Sequence, residues 1–228
     1  MIVRNAQKAS GFRLGQTIAL FVAISLHGSG CTSIAKDQHP ITPLPGLAVG
    51  GEKSPGAPTN SDAIVVKDVN GKEHRPLAEG GEKLFFFVLH DCPAANSYAP
   101  EMSRIAAKYG AKGVRSYLVY VESDLDEAEA QKHAREYQIG FPALIDRRQE
   151  LVKVTGATIS PEVALLSAEK RVVYRGRIDD RFVALGKRRV EPTTRDLREA
   201  LDAMLEGKPV PNPVTKAIGC YLSVKEHK

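Results

Sequence analysis

The chain has 228 residues, of which 43% are hydrophobic, 26% charged and 6% aromatic, with three cysteines. This is globular composition, which excludes a fibrous chain, a wholly disordered one or a small scaffold built on disulfides. The net charge of +5 owes much to an acid-free leader, and the remainder has no aromatic-and-basic stripe, so no nucleic-acid partner is expected.

Residues 1–30 read as a signal peptide. Arg4, Lys8 and Arg13 make a positive n-region. The apolar run Ile18–Leu26 is too short to cross a bilayer, which takes ~20 residues, but suits a signal core. Gly28-Ser29-Gly30-Cys31 follows. Small residues before a cysteine resemble the lipobox of bacterial lipoproteins, which implies that Cys31 takes a lipid and becomes the mature N-terminus. Gly28 departs from that motif, where an aliphatic residue is usual. Plain secretory cleavage and an uncleaved anchor are the alternatives. All three place the folded part outside the cytoplasm, in a periplasmic or cell-envelope setting. Residues 31–60 carry Pro40, Pro43, Pro45, Pro55 and Pro58 among several glycines. Such a stretch builds no core and is expected to be a disordered tether.

The folded region begins near Ser61. The β-branched run Ile64–Val66 predicts a strand, Asn70-Gly71 a tight turn, and Lys72–His74 a return. Leu84–Leu89 is an unbroken apolar block, short and without alternation, which predicts a strand buried on both faces. Tyr98, Met102, Ile105, Ala106 and Tyr109 recur at helical spacing, with Gly110 as a stop and Pro100 as a tolerated or kinking residue. Val114–Val121 is the next strand. Leu125–Tyr137 is a helix capped by Ser123 or Asp124. Pro142–Ile145 is a short strand, Glu150–Thr155 a helical turn ended by Gly156, and Val163–Leu166 with Val172–Tyr174 a hairpin. Thr193 or Thr194 opens a last helix that ends at Gly207. The basic run Lys187–Arg189 reads as a solvated loop. The order implies an α/β domain over residues 61–206, with a mixed central sheet flanked by helices, then a flexible Pro-rich tail, 207–228, that carries Cys220.

Chemistry is expected where the buried strand ends, because open α/β sheets place their sites at the carboxyl ends of strands. His90-Asp91-Cys92-Pro93 stands there. A thiol at a helix N-terminus meets free N–H groups and the positive end of the helix dipole, both of which favour the nucleophilic thiolate. The alternative is a small cysteine packed under the sheet.

The run Phe85–Pro93, followed by a helix, and Ile159-Ser160-Pro161-Glu162-Val163, opening a hairpin, resemble the thioredoxin fold. More narrowly they resemble redoxins of the alkyl hydroperoxide reductase and thiol-specific antioxidant superfamily, over roughly residues 61–206. The resemblance implies that Cys92 is the nucleophile and that Pro161 follows a cis bond and lies against the sulfur. It also implies antioxidant or thiol oxidoreductase activity. The departures are specific. Ala95 replaces the second cysteine of Cys-x-x-Cys, Leu89 stands where peroxiredoxins carry threonine, and Asn96 replaces the second cysteine of copper-delivering relatives. With Cys31 lipidated, Cys92 and Cys220 are the remaining thiols. Resolving cysteines of related two-cysteine redoxins imply a Cys92–Cys220 bond. A structural bond, an intermolecular one and an inert Cys220 stay open.

His90, Asn96, Ser160 and Arg177 are supporting candidates. Arg177 would keep a nearby thiolate charged, or else pair in a salt-bridged turn with Asp179 and Asp180. Glu162 is a candidate proton relay. No cofactor and no metal are expected. The expected partners are an external thiol reductant or a client protein disulfide, and a membrane reached through the lipid anchor. The competing functions are a redox-silent thioredoxin-fold binding module and a single-cysteine peroxidase.

Overall fold

The structure, a computed structural model, describes residues 61–225. The signal segment 1–30, the lipidation candidate Cys31 and the tether 31–60 lie outside the described residues. A 3-10 turn at Ser61–Ala63 leads into β1 (Val66–Asp68) and β2 (Glu73–His74). The strand expected at Ile64–Val66 begins only at Val66, because the Ile64 amide closes the preceding turn onto the Ser61 carbonyl at 3.1 Å. The chain continues through β3 (Lys83–Val88), α1 (Pro93–Gly110), β4 (Arg115–Tyr120), α2 (Glu127–Glu136), β5 (Ala143–Ile145) and α3 (Glu150–Thr155). Then come β6 (Ile159–Ser160), β7 (Glu162–Leu166), β8 (Val172–Gly176), β9 (Phe182–Ala184), β10 (Lys187–Arg188), α4 (Asp196–Leu205) and β11 (Cys220–Tyr221).

The central sheet has seven strands in the order β2-β1-β5-β4-β3-β7-β8. β3 runs parallel to β4, and β4 to β5, through the helical crossovers α1 and α2. The flanking pairs are antiparallel. This is the mixed sheet expected of the thioredoxin fold.

β3 sits inside the sheet with every residue buried, as an apolar block without alternation requires. Its pleat sends Leu84, Phe86 and Val88 to the side packed by Tyr98, Met102 and Ile105 of α1 and Leu197 of α4. Phe85 and Phe87 face the other way, onto Tyr117, Leu144 and the α3 residues Leu151 and Val152. Phe86 is fully buried. Phe86→Ala is therefore expected to cost about 3–5 kcal/mol of stability through lost burial and a cavity. It should be read as a lower urea midpoint at unchanged slope.

Helix starts differ from those expected. Leu125 is buried in the core, so α2 begins after it, capped by Asp126, which accepts from the Ala128 amide at 2.7 Å. At α4 the amides of Thr193 and Thr194 are spent on the Asp180 carboxylate (2.7 and 3.0 Å), and the helix opens at Asp196. Pro100 lies inside α1; the proline has no amide to offer the Asn96 carbonyl a turn earlier. Lys187 and Arg188, expected in a loop, form the exposed strand β10 against β9.

α3 is held by Asp146, whose carboxylate accepts from the amides of Glu150 (2.9 Å), Leu151 (2.9 Å) and Val152 (3.2 Å). Burial pushes the Asp146 carboxyl up to about 6, against the pull of those amides. The folded protein thus keeps a proton that the unfolded chain releases near pH 3.8. Stability from this group is full below that pH and is lost as pH rises to about 6, by up to about 3 kcal/mol. Urea titrations at successive pH values are expected to show this fall in the wild type relative to Asp146→Asn.

The C-terminal segment is not the free tail that its prolines suggest. The Arg175 amide donates to the Pro213 carbonyl (2.9 Å) and the Thr215 amide to the Arg175 carbonyl (3.0 Å), which lays the segment along β8. Further on, β11 pairs antiparallel with β6, Cys220 opposite Ser160 and Tyr221 opposite Ile159. The Leu222 amide donates to Thr158 at 2.9 Å. Gln149 then grips the backbone, donating to the Ser223 carbonyl and accepting from the Lys225 amide, both at 2.7 Å.

Candidate active site

The site lies at the carboxyl end of β3. The Leu89 amide donates to Ser160 Oγ at 2.8 Å, and the Cys92 amide turns back onto the Leu89 carbonyl at 3.2 Å. Cys92 is the N-cap of α1 and Pro93 opens the helix, a position where the missing proline amide costs nothing. The Cys92 carbonyl accepts the first helical bond, from the Asn96 amide at 3.0 Å. The Cys92 side chain is only 1% exposed.

Two segments close on this sulfur. One is the Ser160–Pro161 peptide, which is cis, as the sequence resemblance implies. The Cys92 thiol donates to the Ser160 carbonyl at 3.1 Å. The other is β11. Its register sets Cys220 beside Ser160, and the Cys220 thiol donates to Cys92 Sγ at 2.7 Å. Both residues are thiols here, and the separation exceeds the ~2.05 Å of a disulfide bond.

The two thiols are electrostatically unequal. Burial raises the pKa of Cys92, but the Cys220 thiol, the Ala95 amide, the Ser160 side chain and the Cys220 amide outweigh it and hold the group below the usual thiol value. Cys220 is pushed up to about 12 by burial, by its hydrogen bond to Cys92 and by the charges of Cys92 and Asp91. The pair therefore favours a thiolate on Cys92, with the shared proton on Cys220.

His90 stands beside this pair without touching either sulfur. Its amide and Nδ1 both meet Glu122 Oε1 (2.7 and 2.9 Å), and Nε2 lies 3.3 Å from Glu129. Burial lowers its pKa, but Glu122, Glu129 and Asp91 together raise it. Asn96 donates to the His90 carbonyl at 3.0 Å and accepts from His133 Nε2 at 2.9 Å. That assignment leaves His133 Nδ1 to accept from the Tyr120 hydroxyl at 2.8 Å. Burial, and then the His90 charge, lower the His133 pKa, in keeping with a neutral ring. This network braces the first turn of α1.

Glu122 and His133 were not among the expected supporting residues. Glu122 carried a signal, since it follows the apolar run of β4 at the same sheet end as Cys92. His133 carried none, because its partners come from β4 and α1. His90, Asp91 and Glu122 each bring one ligand atom to within 4.8 Å of the others; Glu122 Oε1 is taken by His90, while its buried Oε2 has no hydrogen-bond partner among the described residues.

Two expectations are corrected. Arg177 does not turn to the sulfurs. Its guanidinium pairs with Asp196 through Nε and Nη2 (2.9 and 3.1 Å) and reaches Thr194, and its amide donates to Thr215. The carboxylate in the first turn of α4, rather than Asp179 or Asp180, wins the ion pair. Glu162 is no free relay either. Its Oε2 accepts from the amides of Thr158 (2.6 Å) and Ile159 (3.2 Å), which clamps the chain entering the cis bond.

Beside Cys220 lies a cleft of about 370 Å³ between the first turn of α1 and the β9–β10 hairpin. Pro93, Ala94, Phe182, Leu185 and Arg188 line it with Cys220. Cys92 does not reach it.

The family model described as Redoxin matches residues 57–182. Among curated proteins, the thiol-disulfide oxidoreductase ResA of Bacillus thuringiensis subsp. konkukian is 26% identical over 111 residues. That match covers 48% of this chain and 63% of ResA, less than two thirds of its length. Among solved structures, a hypothetical protein from Sinorhizobium meliloti is 27% identical at a TM-score of 0.62, covering 72% of this chain and 92% of that one. An uncharacterized conserved protein from Geobacillus kaustophilus is 28% identical at a TM-score of 0.62, covering 72% of this chain and 90% of that one.

Proposed function

The chain belongs to the Redoxin family, and from that premise we propose that it is a thiol–disulfide oxidoreductase whose redox couple is Cys92 and Cys220. The observation that carries this reading is the sulfur pair, 2.7 Å apart at the N-terminus of α1 and beside the cis Ser160–Pro161 bond. In the reducing direction the two thiols give two electrons and two protons to a client protein disulfide and become a Cys92–Cys220 bond. An external thiol donor then restores them. The same couple run backwards oxidises a client dithiol. The unequal thiols support the reading, because exchange needs one sulfur that bears negative charge readily. The name of ResA supports it too, through a match to part of that protein.

We place this chemistry outside the cytoplasm. The positive leader and apolar core of residues 1–30 support export, and the small residues before Cys31 support a lipid anchor there. Oxidising compartments are also where such a couple cycles.

A non-reducing peptide map tests the reading, on protein purified from the membrane fraction with thiols alkylated at lysis. A linked Cys92–Cys220 peptide, lost on mild reduction, is the expected result. Two alkylated thiols before and after mild oxidation would sink it.

A further inference from the structure

The thiol that meets the outside is not the buried one. Cys92 is 1% exposed, covered by β11, the Ser160 carbonyl and its own helix. Cys220 is only partly buried and lines the cleft beside α1, which Cys92 does not. We propose that in the oxidised protein an incoming thiolate enters through this cleft and attacks Cys220 Sγ, with Cys92 as the leaving sulfur. The inference rests on the redox couple proposed above and assigns its polarity. It reverses the roles that the Cys92-Pro93 motif alone implies.

The electron balance is simple. The thiolate forms a bond to Cys220 Sγ, the Cys92–Cys220 bond breaks, and its electron pair stays on Cys92 as thiolate. A second thiolate, from the same client or from another thiol molecule, attacks the client sulfur of the mixed disulfide. Cys220 leaves and takes up a proton. The client is oxidised to a disulfide and the protein is reduced to its dithiol. The better leaving thiol speeds exchange, and Cys92 has the N-terminus of α1 to hold its charge.

The cleft also says what kind of thiol it receives. Its walls are apolar at Pro93, Ala94, Phe182 and Leu185, the last 68% exposed. Arg188 closes one side, and the nearby Asp180 carboxylate pairs with Arg189. Arg188 is shared with a second cleft lined by Arg181, Arg189 and Val190. The occupant that fits is an acidic peptide segment with an apolar residue next to its cysteine, since charge complementarity selects the approaching anion.

Two probe thiols test this on the full chain. Thiosalicylate carries an aromatic ring and a carboxylate, and cysteamine carries an ammonium. Oxidised wild-type protein is mixed with each, quenched in acid within the first turnover, alkylated and mapped by mass spectrometry. The expected result is a thiosalicylate adduct on Cys220 and an alkyl group on Cys92. The reverse placement overturns the proposal. A chain that never forms the Cys92–Cys220 bond overturns the redox couple, and this polarity with it. In Arg188→Glu the ratio of thiosalicylate to cysteamine rates is expected to fall roughly fivefold or more. An unchanged ratio would remove the acidic-client assignment.

Discussion

Replacing Gly219 by alanine is expected to slow Cys92–Cys220 bond formation by roughly a hundredfold, as a displacement of about 1 Å does to other aligned reactions. The reason is local. A Cβ at Gly219 would lie 1.9 Å from the Ser160 carbonyl oxygen, 2.7 Å from its carbon and 3.1 Å from Pro161 Cδ. The obstacles are backbone and a proline ring, not the free end of a side chain, so they have no rotamer into which to retreat. β11 must move away instead. Because Gly219 directly precedes Cys220, the first residue of β11 and the one paired with Ser160, a shift at Gly219 passes directly to the Cys220 sulfur. Gly219 is thus a positioning residue for the sulfur pair. The measurement is the rate at which reduced protein forms the intramolecular bond in a glutathione redox buffer, followed by alkylation at timed intervals. Gly80→Ala is the control, since a Cβ there meets nothing within 4 Å. A Gly219→Ala protein that oxidises at the wild-type rate would show that β11 does not set the encounter.

How much of this was legible beforehand depends on the range of the interaction. The apolar block at Leu84–Leu89 announced a central strand because burial on both faces leaves an unmistakable composition. Cys92 followed from the rule that places chemistry at the end of such a strand. The hairpin of β7 and β8 was readable for similar local reasons. The partner of Cys92 was reached only by counting cysteines and by family resemblance. Nothing near Cys220 says that it pairs with Ser160, since a strand of two residues has no period to detect. The information sits in Gly219, whose missing side chain matters only when Ser160 lies beneath it. Arg177 failed for a related reason. Sequence proximity favoured Asp179 and Asp180, whereas the fold brings Asp196 against its guanidinium. The proline-rich composition of residues 207–213 suggested a loose tail. Proline removes an amide donor but leaves its carbonyl, and Pro213 uses that carbonyl to accept from Arg175.

Cys92→Ser and Cys220→Ser are each expected to abolish disulfide turnover, with a loss of roughly a thousandfold or more, because no other cysteine among the described residues can replace either sulfur. Their titrations are expected to move in opposite directions. In Cys92→Ser the remaining thiol, Cys220, loses its hydrogen bond to the Cys92 sulfur and the charge of that sulfur. Both raise its pKa toward about 12 in the native pair. Burial and Asp91 remain, so Cys220 titrates lower than in the native pair but still above an exposed thiol. In Cys220→Ser the remaining thiol, Cys92, loses the thiol that donates to it at 2.7 Å. The serine hydroxyl has a shorter reach, while the Ala95 amide and Ser160 stay in place. The Cys92 pKa is therefore expected to rise, and its thiolate fraction at neutral pH to fall. Ultraviolet thiolate absorbance against pH measures both variants directly, with far-ultraviolet circular dichroism to check the fold. Shifts in the same direction would mean that the two sulfurs respond to a common change in burial. Opposite shifts are what a shared proton demands, since the thiol that donates it and the thiolate that accepts it depend on each other.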